Sequence, residues 1–267
     1  MDCTHHMRSL RTVLIGAASA AVLVLTTAQP ASATFPWLRL ELRYTGELQA
    51  PALVRDSSGN EVHGAVLAGT GGAVTPVTEN GRRFLRFPGG SCTVAPCPQG
   101  IIRPTSTVTL VPGSEGEGRF VYGADIRLTA PPSPAAGQNV FQFGAAGAGL
   151  SQWKLQVDYG RPSCRWSDGT QVVLLPAGPE GWQMTVGRWY RVTCSRKARV
   201  FFSVRVEDPV TGLPLLLPRI QTVQMAGILP TGNVVIGGKR INAAQSDVDT
   251  DQFHGDLDNV EFGRRSD

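Results

Sequence analysis

Phe120-Val121-Tyr122-Gly123-Ala124-Asp125-Ile126-Arg127-Leu128 decides the fold class. Phe120, Tyr122, Ala124, Ile126 and Leu128 alternate with Gly123, Asp125 and Arg127, the period of two that a strand shows when one face is buried. The pattern recurs on both sides. Leu38, Leu40, Leu42 and Tyr44 alternate with Arg39, Glu41 and Arg43, and Trp153, Leu155 and Val157 alternate with Lys154, Gln156 and Asp158. Val200, Phe202, Val204 and Val206 repeat it against Ser203, Arg205 and Glu207, and Phe253, Gly255, Leu257 and Val260 close the chain. No segment sustains an apolar period of 3.6, so helices are not expected.

The 31 glycines and 19 prolines fall mostly between these runs, as at Ser57-Ser58-Gly59-Asn60, Pro179-Glu180-Gly181 and Thr231-Gly232-Asn233. They punctuate turns and mark no linker. About a dozen short strands separated by turn signals predict an all-β sandwich or barrel. The sequence has no internal repeat of fixed period and no long low-complexity tract.

The chain begins differently. Arg8 and Arg11 precede an apolar run from Val13 to Leu25, and Ala31-Ser32-Ala33 follows. This is the pattern of a secretory signal peptide cleaved after Ala33, with Met7 reading as a natural start. The expected organisation is a signal peptide over 1–33 and one domain over 34–267, secreted to the extracellular space. The apolar run is shorter than the ~20 residues that span a bilayer, so no membrane span is expected in the mature protein. The formal charge of +4 falls to +3 when Arg8, Arg11 and Asp2 leave, and no run of Lys or Arg follows. Nucleic acid is not an expected partner.

Cys3 departs with the leader, and an even set remains: Cys92, Cys97, Cys164 and Cys194. Four cysteines allow three pairings. The short span Thr93-Val94-Ala95-Pro96 favours a stapled turn, Cys92–Cys97, leaving Cys164–Cys194 between two strand-like runs. An oxidising compartment favours disulfides over metal binding here.

Four segments, in order, resemble one family. Arg55-Asp56-Ser57-Ser58-Gly59-Asn60-Glu61-Val62-His63-Gly64 is similar to its D-x-S-G-N-x-x-x-G turn, and Gly187-Arg188-Trp189-Tyr190-Arg191-Val192 to its G-x-W-H/Y-x-V strand. Val234-Val235-Ile236-Gly237-Gly238 resembles its I-G-G turn, and Phe253-His254-Gly255-Asp256-Leu257-Asp258-Asn259-Val260 its closing strand. The family is the concanavalin A-like lectin/glucanase superfamily in its laminin-G-like (LamG) branch. Gln152-Trp153-Lys154-Leu155-Gln156-Val157-Asp158 followed by Cys164 resembles secreted actinobacterial members. The resemblance implies a concanavalin A-like jelly-roll β-sandwich of two antiparallel sheets with about 12 strands. It also implies that Asp56 and Asp258, at chain ends that neighbour each other in this fold, share a structural Ca2+; the plainer reading is an Asx turn for Asp56 and a local hydrogen bond for Asp258.

Enzyme chemistry finds little support. Asp256-Leu257-Asp258-Asn259-Val260-Glu261 resembles the E-x-D-x-x-E strand of jelly-roll glucanases, but an Asp in the first position shortens the reach of a pair that must stand ~5 Å apart. Asp247, Asp249 and Asp251 alternate without the Gly and Glu of an EF-hand loop. Only His63 and His254 remain after the leader, too few for a three-His zinc site, and no G-x-S-x-G occurs. Sugar recognition combines an exposed aromatic face with amide, carboxylate and guanidinium groups. The turn-adjacent Trp182 and Trp166, with Tyr159 and Asp168 nearby in sequence, are the candidate ligand contacts; Trp153 and Trp189 read as core. The expectation is noncatalytic binding of a glycan or cell-envelope polysaccharide. The alternative is a protein-binding adhesion module, and the third reading a jelly-roll glycoside hydrolase.

Overall fold

The computed structural model describes Met1 and residues 38–49, 52–88, 92, 94–112, 118–132, 137–245 and 251–265. The leader sequence and its cleavage point lie outside the described residues, as do Asp247 and Asp249. The strands fall within the unit Ser32–Asp267. β1 (Arg39–Gln49), β2 (Leu53–Asp56) and β3 (Gly64–Gly69) open it, and β4 (Thr75–Glu79) and β5 (Arg82–Arg86) form a hairpin. After β6 (Gln99–Pro104) and β7 (Phe120–Leu128) comes a meander of β8 (Gln138–Phe143), β9 (Ser151–Asp158), β10 (Arg161–Asp168) and β11 (Val172–Pro176). A second meander holds β12 (Trp189–Lys197), β13 (Phe201–Glu207) and β14 (Arg219–Thr222), and β15 (Val234–Ile236) and β16 (Gly255–Arg264) complete the chain.

Among the described residues these 16 strands, rather than about 12, join in one antiparallel ladder ordered β11-β10-β9-β8-β15-β6-β3-β2-β1-β16-β7-β12-β13-β14. The β4–β5 hairpin attaches through β5 to β16. The ladder curls until its ends approach, with β11 against β13 and β14. The first and last strands are neighbours, Tyr44 standing opposite Val260. The additional strands lie mostly between Leu53 and Arg86, where runs of four to six residues are too short to display alternation.

The inward faces meet in an aromatic core. Tyr122 of β7 reaches Trp153 of β9 with ring centroids 4.7 Å apart, Trp153 stacks on Phe262 at 5.2 Å, and Trp166 meets Phe202 at 5.1 Å. Each such buried ring contributes about 2–3 kcal/mol. Tyr122 Oη lies 3.2 Å from the Lys154 carbonyl and 3.0 Å from that of Arg165, so its buried hydroxyl reaches β9 and β10, which are not ladder neighbours of β7. Both expected disulfides are present. Cys164 and Cys194 sit on β10 and β12, which are not ladder neighbours, so their bridge crosses the interior at a Cα–Cα distance of 5.7 Å. Among the described residues no helix is long and apolar enough to cross a membrane.

Trp189 is not core. It pairs with Arg127 on the outward face of β7 and β12, under the guanidinium of Arg82 at 4.0 Å.

Candidate functional site

The candidate site is built at the β9–β10 reversal. Asp158 pairs with Arg161, leaving Tyr159 and Gly160 as a two-residue turn. Both have positive φ, +50° and +77°, as the type I′ hairpin turn requires. Asn or Asp usually fills the first position; an aromatic side chain there is strained by about 1 kcal/mol or more. The Tyr159 side chain is 58% exposed.

The second wall is the segment after β11. Ala177 N–H donates to Pro162 O at 2.9 Å and Met184 N–H to Gly160 O at 2.8 Å, so this loop is tied to the hairpin at both ends. Trp182 N–H closes a turn on Pro179 O at 3.3 Å. The Trp182 ring stands edge-on to Tyr190 with centroids 5.9 Å apart, and a Cβ at Gly178 would meet the indole at 3.3 Å. Gly178 therefore leaves room for the ring against the loop.

Between the walls lies a cleft of about 260 Å³ lined by Asp158, Tyr159, Arg161, Ser163, Pro176, Gly181, Trp182 and Gln183. Its size is just below the range of drug-sized pockets and suits a single small ring. Asp158 Oδ2 accepts from Ser163 Oγ at 2.9 Å and from the Gln156 amide, which orients the carboxylate, and Oδ1 has no partner among the described residues. Arg161 donates from Nε to Ala177 O at 2.7 Å and from Nη2 to Gly178 O, bracing the floor. Two aromatic side chains and the residues Asp158, Ser163 and Gln183 thus line one opening, whose wall is mainly apolar.

Of the four candidate ligand residues, the structure brings Tyr159 and Trp182 together and sets the other two apart. Trp166 faces inward from β10 with no exposed surface, because it shares the period-two face of Cys164. It belongs to the core and does not reach a ligand surface. Asp168 is at the other end of β10, roughly 23 Å along the strand from Arg161. Its Oδ1 accepts from Thr170 N–H and Gln171 N–H and its Oδ2 from Ala226 N–H, all within 2.8 Å. Burial opposes its charge, and these backbone bonds outweigh burial and hold the carboxyl below its ordinary range. Asp158, Arg161, Ser163 and Gln183 were not singled out as ligand contacts from sequence. The signal for the first three was their shared outward parity on either side of a two-residue turn.

Asp56 and Asp258 each hold hydrogen-bond donors of the protein itself. Asp56 accepts from Arg43 N–H (2.8 Å), Ser58 N–H (2.9 Å), Ser58 Oγ (2.7 Å) and Val62 N–H (3.0 Å), which fills its four lone-pair directions. Asp258 accepts from Arg82 Nε at 2.9 Å and Asn259 N–H at 2.7 Å. Among the described residues no group of three His, Cys, Asp or Glu is placed to hold a metal. Of the closing-strand carboxylates, Asp256 is fully buried between Arg86 and Arg127, and a bulge separates Asp258 from Glu261.

No protein-family model matches the chain, and no curated protein does. Among solved structures it is similar to the binding domain of Paraclostridial Mosquitocidal Protein 1, with a TM-score of 0.54 at 12% identity over 85% of this chain and 49% of that one. The receptor binding domain of botulinum neurotoxin D gives a TM-score of 0.51 at 14% identity, again over 85% of this chain and 49% of that one. The LG1-3 region of the laminin alpha2 chain gives 0.42 at 16% identity, covering 62% and 32%. The chain spans about half the length of the first two. Likeness at this identity shows the fold alone.

Proposed function

We propose that the protein is a secreted, noncatalytic binding module of jelly-roll type, and that it holds a saccharide ring of a glycan or cell-envelope polysaccharide in the Tyr159–Trp182 cleft. The observation that carries this reading is that two aromatic side chains, Tyr159 and Trp182, line one small opening together with Asp158, Ser163 and Gln183. Aromatic faces take the apolar face of a sugar, while carboxylate and amide groups take its hydroxyls. The solved binding domains with the same fold support a binding role in general terms. Two disulfides support an extracellular setting.

A second reading has its own observation. Val172 and Leu174 on β11 and Ile220 on β14 leave apolar side chains about half exposed near the place where the ladder ends meet. A patch of this kind suits protein docking. A polysaccharide and cell-wall array probed with the oxidised native protein and with Trp182→Ala separates the two. Saturable, Trp182-dependent retention supports the saccharide reading; no retention on any sugar overturns it in favour of protein recognition.

A further inference from the structure

In the loop between β13 and β14, Val210, Leu213 and Leu217 are 69%, 64% and 89% exposed, and no charged residue occurs from Pro209 to Pro218. Exposed apolar side chains gathered in one place mark an interaction surface. The loop that carries them is firmly built. Gly212 N–H donates to Asp208 O at 2.8 Å, Asp208 N–H to Leu213 O at 2.9 Å and Leu215 N–H to Val206 O at 2.9 Å. Asp208 Oδ1 accepts from Val210 N–H and Thr211 N–H, both at 3.0 Å, and Leu213 N–H donates to Thr211 Oγ1 at 3.3 Å. Pro209 and Pro214 have no N–H. Every backbone donor from Asp208 to Leu215 is thus satisfied within the protein, which is what hydrocarbon demands of a backbone that enters it. Thr211, the one polar side chain of the tip, bonds Asp208 Oδ1 as well, so the tip offers few of the side-chain hydrogen bonds that an ordinary protein interface uses.

The surface changes character at the base of the loop. A Cβ at Gly178 would lie 3.0 Å from Leu216 Cδ1 and 3.3 Å from the Trp182 indole, so the loop stands beside Trp182. Arg219 donates from Nη1 to Gly178 O at 3.0 Å, and the Arg188 guanidinium lies 5.3 Å from the centre of the Tyr190 ring. The Thr211 N–H holds the Asp208 carboxyl below its ordinary range against partial burial, and the nearby Arg188 charge adds to the shift. Asp208 is spent on the loop and Glu207 pairs with Arg205 at 3.3 Å, which leaves exposed Arg188 and Arg219 against Glu180. An apolar tip above a collar of Trp, Tyr and net positive charge is the profile of a segment that seats in a membrane interface.

We propose that this loop docks the protein on a phospholipid bilayer: Val210, Leu213 and Leu217 enter the hydrocarbon boundary, and Arg188 and Arg219 meet lipid phosphates at the headgroup level. The site is separate from the Tyr159–Trp182 cleft and stands without the saccharide reading. The apolar tip supplies most of the attraction, because Glu180 offsets one of the two collar charges.

The test is cosedimentation of the oxidised protein with phosphatidylcholine vesicles and with vesicles containing about one-fifth phosphatidylglycerol, both free of sugar lipids. The native protein should bind both and prefer the anionic set. Leu213→Gln/Leu217→Gln should weaken binding to both sets about tenfold or more, and Leu217→Gln alone, at the most exposed position of the loop, about threefold. Arg188→Gln should lose about fivefold on the anionic set alone, an effect that added salt removes. Val108→Gln, which removes an exposed apolar side chain outside the loop, should bind as the native protein does. All four variants should melt within about 2 °C of the native protein, since each changes exposed residues. No vesicle binding by the native protein, or binding that survives both leucine variants, overturns the proposal and leaves the cleft reading intact. Self-association in sedimentation velocity that Leu213→Gln/Leu217→Gln abolishes, with no binding to vesicles, also overturns it and assigns the loop to contact between copies of the chain.

Discussion

Arg82 donates from Nε to Asp258 Oδ2 at 2.9 Å and from Nη2 to Asp125, so a guanidinium supplies the positive charge between two nearly buried carboxylates. Arg191 holds Asp125 from the other side at 2.6 Å, and Asn259 Nδ2 adds a bond at 2.9 Å. Removing one partner of such a network leaves uncompensated buried charge, so Arg82→Ala is expected to cost about 3–5 kcal/mol at neutral pH. Asp258 titrates up at about 6, raised first by burial, against the pull of Arg82 and with Asp125 adding to the rise. A carboxyl raised in the fold binds its proton more tightly there than in the unfolded chain. Its stabilising contribution is full below about pH 4 and is lost as pH rises through about 6. Glu261, also raised by burial, acts in the same direction. Urea unfolding between pH 4 and 8 should show the Arg82→Ala deficit growing with pH, and Asp258→Asn gaining on the native protein by about 2–3 kcal/mol over that interval.

Calcium addition is a separate check. Asp56 is saturated by backbone and serine donors and Asp258 is held by Arg82. Melting temperatures in millimolar calcium and in EDTA should agree within about 1 °C, because a ligand that does not bind the native state does not stabilise it. A calcium-dependent rise would restore the shared-ion arrangement that the family resemblance implies.

Tyr159 joins function to strain. Asparagine adopts its positive φ far more readily, so Tyr159→Asn is expected to stabilise the protein by about 0.5–1 kcal/mol while weakening saccharide binding. Thermal melting and a binding titration on the same variant check both halves. A variant that is more stable and binds as well as the native protein would remove Tyr159 from the site.

The two disulfides should differ in weight. Cys164–Cys194 closes a span of 30 residues and Cys92–Cys97 one of 5. In the chain-entropy account the first contributes about 3–4 kcal/mol and the second about 2. Cys164→Ala/Cys194→Ala also opens space inside the core, where both sulfurs are buried. Its denaturation midpoint should fall well below that of Cys92→Ala/Cys97→Ala.

Much of the fold was legible where strands are long and half-buried. β1, β7, β9, β13 and β16 follow their alternating residues, and the disulfide pairing follows from spacing. The β4–β5 hairpin was missed although Asn80-Gly81, both at positive φ, is a strong hairpin signal; that hairpin supplies Arg82 and Arg86 to the buried acids. Trp166 reads as turn-adjacent through its neighbours Asp168 and Gly169, whereas its parity with Cys164 puts it inside. Trp189 was misplaced in the opposite sense: the arginines that cover it come from other strands, which no local pattern reveals. Trp182 and Tyr159 could be picked out singly as turn residues, but their meeting depends on the loop bonds from Met184 to Gly160 and Ala177 to Pro162.

The central claim is that the Tyr159–Trp182 cleft holds a sugar ring, and the most direct measurement is a calorimetric titration of an array-selected oligosaccharide into native protein and Trp182→Ala. Loss of the stacking face should weaken binding about tenfold or more, while unfolding free energy changes by no more than about 1–2 kcal/mol, since Trp182 is only partly buried. Equal affinity in a folded Trp182→Ala variant would contradict the account and place the ligand elsewhere on the protein.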